Sequence, residues 1–111
     1  MRWLKLLVSI SMVVGTLWAG QVYGGDEEVA RSLHDEHGCM ACHAADTRLV
    51  GPSHIEIAQR YDESDVPELV SKVREGGSGN WGSMPMIPHS HVNEEDIETI
   101  VRWILTADNK P

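Results

Sequence analysis

Gly38-Cys39-Met40-Ala41-Cys42-His43 contains both cysteines of a 111-residue chain, with a histidine directly behind the second. Two thiols this close can form a small-loop disulfide, a redox-active dithiol or half of a metal site. A disulfide closing so short a loop would stabilise little. A redox dithiol of the thioredoxin type needs a βαβ setting, which the flanking sequence lacks. A closed zinc site needs four ligands. The chain has His34, His37, His54, His89 and His91 besides His43, but none pairs at zinc-like spacing with another cysteine.

The reading that uses all three residues is covalent attachment of one haem, for which C-x-x-C-H is the signature. Cys39 and Cys42 can each add through sulfur to one of the two vinyl groups on the haem edge. His43 can then reach the iron from one face. The rest of the chain needs such a group. It has no Phe, and small domains often need a metal, disulfide or cofactor to complete a core.

Working outward, Met1–Gly24 carries a basic start at Arg2 and Lys5 and an uncharged apolar run from Leu6 to Ala19. These are the parts of a secretory signal peptide, with the cut expected between Gly24 and Gly25. The run is short for a membrane span, which needs about 20 apolar residues. Residues 25–111 then form one domain. The leader takes two of the nine basic residues and none of the 17 acidic ones, so the domain is more acidic than the formal −8 of the whole chain. That charge argues against nucleic-acid or anionic-membrane binding and suits a partner with a basic docking surface.

Four helical patterns follow the leader. Asp26 is placed to cap the first, about Glu27–Glu36, with Val29 and Leu33 sharing a face and Gly38 ending it. Ser53 and Glu56 form a capping box for a short helix at about His54–Arg60. Asp65 is placed to cap a third at about Val66–Glu75, with Pro67 in its first turn. Its Val66, Leu69, Val70 and Val73 stripe faces a core, and Gly76-Gly77 ends it. Asn93 caps the last, about 15 residues long, on which Ile97, Ile100, Val101, Ile104 and Leu105 recur at helical spacing. The stretches 44–52 and 76–90 are rich in Gly and Pro, and no strand pair is expected. The class is all-α. His34 and His37, three apart on one helix, are expected as a surface pair, and His54 as a first-turn surface residue. Trp103 is expected to pack on the first helix or the haem.

The iron needs a sixth ligand or it stays open to small molecules. Trp81-Gly82-Ser83-Met84-Pro85-Met86-Ile87-Pro88 supplies two thioethers in a proline-stiffened loop. Histidine–methionine ligation raises the reduction potential and favours electron transfer. From the residues alone, Met84 and Met86 are both candidates, and either could instead fill core.

With these landmarks in view, residues 25–110 resemble the small bacterial class I cytochromes c of the c551/c552 type. The resemblance rests on Gly38-Cys39-x-x-Cys42-His43-Ala44, Asp46-Thr47, Val50-Gly51-Pro52, Gly79-x-Trp81-Gly82-x-x-Pro85-Met86-x-Pro88 and Trp103-Ile104-Leu105. It implies a cytochrome c-type fold of about four helices around one covalent haem c, with the first and last helices crossing. It also implies His43 and Met86 as the two iron ligands, the carbonyl of Pro52 as acceptor for the second nitrogen of His43, and Trp81 as a donor to a haem propionate. Lys72 stands where the family commonly has a propionate-pairing Arg, and lysine cannot make the planar two-point contact.

The resemblance further implies a monomeric, periplasmic one-electron carrier with no substrate chemistry. Its partners would be larger redox proteins, with a nitrite reductase or a terminal oxidase as partner classes. Two other readings are a haem sensor or peroxidase-like module with a labile sixth ligand, and a carrier tethered by a retained leader. Where the family reads Met-Pro-Pro-Asn, this chain has Met86-Ile87-Pro88-His89 and one extra residue, so the support of the Met86 sulfur is open and His89 or His91 becomes a rival ligand. If His89 borders a propionate or the Met86 loop, the reduction potential varies with pH near neutrality. A potential flat between about pH 5 and 8 excludes that.

Overall fold

The computed structural model describes residues 23–107, together with Gly15. Apart from Gly15, Tyr23 and Gly24, the expected leader lies outside the described residues. The elements, in chain order, are α1 (Tyr23–Glu36), a 3-10 turn (Cys39–Ala41), α2 (His54–Arg60), a second 3-10 turn (Glu63–Asp65), α3 (Val66–Glu75), strands β1 (Gly77–Gly79) and β2 (Gly82–Met86), and α4 (Glu94–Leu105). No described helix is long and apolar enough to cross a membrane.

The last helix organises the others: α1, α2 and α3 all pack against α4. Its own start is fixed by Asn93, whose side chain accepts from the Asp96 N–H at 2.8 Å, and three acidic residues follow where the helix dipole favours them. It ends at Leu105, the last residue of its apolar period, and its 12 residues are fewer than the expected length of about 15. Ile97, Val101 and Val92 bury against Val66 and Val70 of α3, with Leu69, Val73 and Leu105 closing the cluster. The apolar stripes expected on α3 and α4 are therefore the core.

Two caps differ from expectation. The first helix begins at Tyr23, ahead of Asp26 and across the expected cleavage point, so Asp26 lies inside its first turn. An acid is favoured there by the same dipole that would favour it as a cap. Asp65 precedes α3 but makes no capping bond to it. Its carboxylate accepts instead from the Asp62 N–H, completing a capping box on the preceding 3-10 turn. The capping box of Ser53 and Glu56 on α2 is present, and Gly38, with φ 74°, carries the chain out of α1.

A two-stranded antiparallel ribbon also forms, in which Gly77 lies opposite Met86 and Gly79 opposite Gly82. The sequence gives no sign of it, because no alternation of apolar side chains builds it. Gly77, Gly79 and Gly82 adopt φ values of 116°, 111° and 108°, a region open to glycine and costly for other residues.

The buried face of α1 is not Val29 with Leu33. Val29 is 54% exposed, while Ala30 and His34 are almost fully buried. His34 meets His54 of α2 with their Nε2 atoms 3.0 Å apart, and both rings lie edge-on to Trp103 of α4, 5.3 Å between centroids. These two histidines, expected at the surface, are 3% and 5% exposed. A hydrogen bond between the two imidazoles satisfies the polar atoms that burial would otherwise leave without partners. Trp103 packs on the first helix, as expected.

Burial pushes the pKa of His54 down to about 4, with the nearby His34 and His43 adding to the effect. Burial also lowers His34, partly offset by Asp35. The fold therefore favours neutral imidazoles, and the unfolded chain takes up protons first. Stability from His54 is fully present above pH 6.5 and is lost progressively as pH falls to about 4. The loss amounts to about 3 kcal/mol for this residue. Urea unfolding of the wild type at stepped pH should show this decline, and His54→Phe should flatten it. An equally steep decline in the variant would show that His54 is not its source.

Candidate haem site

Gly38 turns the chain at the end of α1, and Cys39–Ala41 then forms the 3-10 turn, with the His43 N–H donating to the Cys39 carbonyl at 3.0 Å. This tight turn brings Cys39, Cys42 and His43 together. Both cysteines are free thiols and half-buried. Burial, the largest influence, raises the Cys39 pKa and so favours the neutral thiol.

From His43 the chain runs through an irregular loop to Pro52, and backbone bonds close that loop on itself. Gly51 N–H donates to Cys42 (2.9 Å), His54 N–H to Ala44 (2.9 Å) and Ile55 N–H to Ala45 (3.2 Å). The result places the buried Pro52 carbonyl 2.7 Å from Nδ1 of His43. A carbonyl can only accept, so Nδ1 carries the proton and Nε2 keeps a free lone pair. That is the tautomer an iron ligand needs, and the carbonyl makes the ring a better electron donor. The two thiols and this nitrogen are the donor set that a covalent haem requires, and the residues present fit it.

Gly51 is a site residue whose role the sequence reading did not assign. A Cβ on it would lie 2.5 Å from Cε1 of the His43 ring and 3.0 Å from Nδ1. Only glycine lets the loop press this closely against the imidazole. The signal was local: a glycine immediately before the proline that accepts from the ring.

The other expected residues are spread along the ribbon. Met86 ends β2 and is half-buried, whereas Met84 is 63% exposed. The two candidate thioethers therefore differ in burial. Gly76 makes room for this segment, since a Cβ there would meet the Met86 carbonyl at 2.5 Å. The turn between the strands carries Trp81, half-buried, with the Arg60 guanidinium 4.6 Å and that of Arg48 5.5 Å from its ring centroid. Tyr61 meets the same indole edge-on. Lys72 reaches instead to Gly77 at the ribbon's other end. Trp81 and Lys72 therefore do not share one end of the ribbon, and the cations beside Trp81 are Arg48 and Arg60. Sequence reasoning missed both, because they come from different segments and nothing local announces their convergence.

His89 is half-buried. Its N–H donates to the Val73 carbonyl at 3.0 Å, which fastens the loop after Met86 to α3. Its ring faces that of His91 (5.9 Å), and His91 faces His37 (6.3 Å). Among the described residues, no group of three or more His, Cys, Asp or Glu is arranged to hold a metal ion.

Comparison with known proteins gives a consistent result. The profile of the cytochrome c family matches residues 28–108. Cytochrome c-551 of Azotobacter vinelandii is 41% identical over 81 residues, spanning 71% of this chain and 98% of that protein. Cytochrome c-552 of Hydrogenobacter thermophilus is 34% identical over 103 residues, 91% of this chain and 94% of that protein. The crystal structure of Nitrosomonas europaea cytochrome c552 superimposes with a TM-score of 0.65 at 38% identity, covering 69% of this chain and 98% of that one.

Replacing Gly51 by Ala forces the His43 ring or the loop to move. It should cost about 1–3 kcal/mol through overpacking and disturb the bond between the His43 ring and Pro52. Gly38→Ala has open space around its Cβ and should cost about 1 kcal/mol through its left-handed backbone alone. Thermal melts and optical spectra of both haem-loaded variants test the contrast. An unaltered spectrum and melt for Gly51→Ala would remove the steric argument.

Proposed function

The chain belongs to the cytochrome c family, and on that basis we propose that it is a periplasmic one-electron carrier whose iron is held by His43 and Met86. Haem c, bonded through Cys39 and Cys42, supplies an iron that exchanges one electron between its ferric and ferrous forms. The observation that carries the ligand reading is the 2.7 Å bond from His43 Nδ1 to Pro52, which leaves Nε2 as the donor. The partial burial of Met86, against the exposure of Met84, supports Met86 as the second ligand. If His43 and Met86 both held the iron, they would leave it no open position for a substrate. The low-polarity thioether disfavours the extra charge of ferric iron and so raises the potential.

The remaining residues serve binding and docking. Arg60, against the Trp81 ring, is placed to offset acidic haem propionates, while Arg48 beside the same ring is paired with Glu56. Met40, Leu49, Val50, Met84 and Ile87 are all exposed, and each lies within three residues of Cys39, Cys42, Pro52 or Met86 in sequence. They offer an apolar contact zone for a redox partner, while the acidic charge elsewhere steers a basic one through long-range attraction that salt screens.

Optical spectra of the purified protein test this directly. Sharp c-type bands on reduction and a weak red-end band when oxidised are expected. Met86→Ala should abolish the red-end band and open the reduced iron to carbon monoxide, whereas Met84→Ala should do neither. Rapid carbon monoxide binding by the wild type would favour the sensor reading instead. Intact mass of the exported protein reports the leader: loss of residues 1–24 with gain of one haem supports a released periplasmic carrier.

A further inference from the structure

We propose that His34 and His54 are positioning residues for the iron ligand: their hydrogen bond ties α1 to the first turn of α2 and thereby sets the bond between His43 and the Pro52 carbonyl. This role rests on the proposed function, since it needs His43 on the iron.

The argument begins with tautomers. Nδ1 of His34 faces the Asp35 carboxylate at 3.5 Å. An anion at that distance favours the proton on Nδ1 and leaves Nε2 of His34 as an acceptor. The facing Nε2 of His54, 3.0 Å away, must then carry a proton and donate. The order is Asp35, His34, His54, running from the half-exposed carboxylate into the interior. The rings meet at 87°, and Trp103 closes against both.

His54 is the first residue of α2, two beyond Pro52. Its own N–H holds Ala44, the residue after His43, and the buried Ser53 between it and Pro52 caps the helix. The Pro52 carbonyl thus sits on a short, fully bonded segment whose side-chain anchor on α1 is the imidazole pair. Two apolar rings would fill the same volume with less desolvation, but they would not fix one orientation through a directional bond. Loss of the bond should let the first turn of α2 relax and lengthen the His43–Pro52 contact. The imidazole then donates less electron density, ferric iron loses stabilisation, and the midpoint potential rises.

The test uses the haem-loaded protein. His34→Phe removes the acceptor and keeps a ring. His34→Gln places a carbonyl oxygen near the former Nε2 and restores an acceptor. The potential is read by spectroelectrochemical titration, and solvent exchange of the His43 Nδ1 proton by NMR. His34→Phe should raise the potential and speed exchange at least about tenfold, a change of 1.4 kcal/mol in protection. His34→Gln should return both towards wild type.

Lower stability in His34→Phe with unchanged potential and exchange would reduce the pair to packing and overturn the role. Should His34→Phe fail to fold, nitrogen shifts of the wild type decide. A proton on one of the two facing Nε2 atoms and none on the other supports the bond, and the same protonation at both overturns it. Wild type lacking a histidine-ligated haem would overturn the proposed function together with this role. Wild type with that haem and an indifferent His34→Phe would overturn this role alone.

Discussion

One hydrogen bond, from the His43 ring to the Pro52 carbonyl, is the point on which the molecule's organisation turns. To make it, the chain must close a loop from His43 to Pro52 around a backbone with little secondary structure. Three further main-chain bonds do that, and a glycine with no room for a methyl group completes the fit. The loop in turn sets where α2 begins, and α2 sets one of the three surfaces that meet on α4. Local covalent attachment, ligand geometry and helix packing are thereby linked through a short stretch of chain.

The protein's own core is modest and built of aliphatic residues. Val66, Val70, Val92, Ile97 and Val101 join α3 to α4, while another side of α4 presents the Trp103 indole to the imidazoles of His34 and His54. Polar rings are a demanding choice for an interior, since each nitrogen must find a partner. Here the two rings largely answer each other. The arrangement gives this side of the molecule a defined rotation about each ring, which an aliphatic cluster of equal volume would leave looser.

What could be read from the sequence follows from how local each signal was. Cys39, Cys42 and His43 carry their chemistry within five residues, and the stripes of α3 and α4 carry theirs in their period, so these were legible. Pro52 and Met86 acquired roles only through family resemblance, because nothing in a lone proline or a second methionine names its partner. The ribbon was invisible, since its strands are held by glycine backbones. Val29 and Leu33 marked the wrong face of α1 because Ala30 and His34, small and polar in composition, are what α4 and α2 accept. His34 and His54 read as surface residues for the same reason: an imidazole announces polarity, and only a distant second imidazole makes burial affordable. Arg48 and Arg60 converge on Trp81 from separate segments, a meeting that no spacing rule foresees.

The glycine-held ribbon has a consequence for how such a protein can diversify. Its strands are joined through main-chain groups and conformations open to glycine, while Ser78, Asn80, Ser83 and Met84 all point their side chains into open surroundings. Substitution at those four positions therefore leaves the pairing itself untouched. The segment that carries Met86 can change its outward chemistry without changing its path. A lineage could in this way acquire a new recognition face by drift at the surface, with the course of the Met86 segment unchanged.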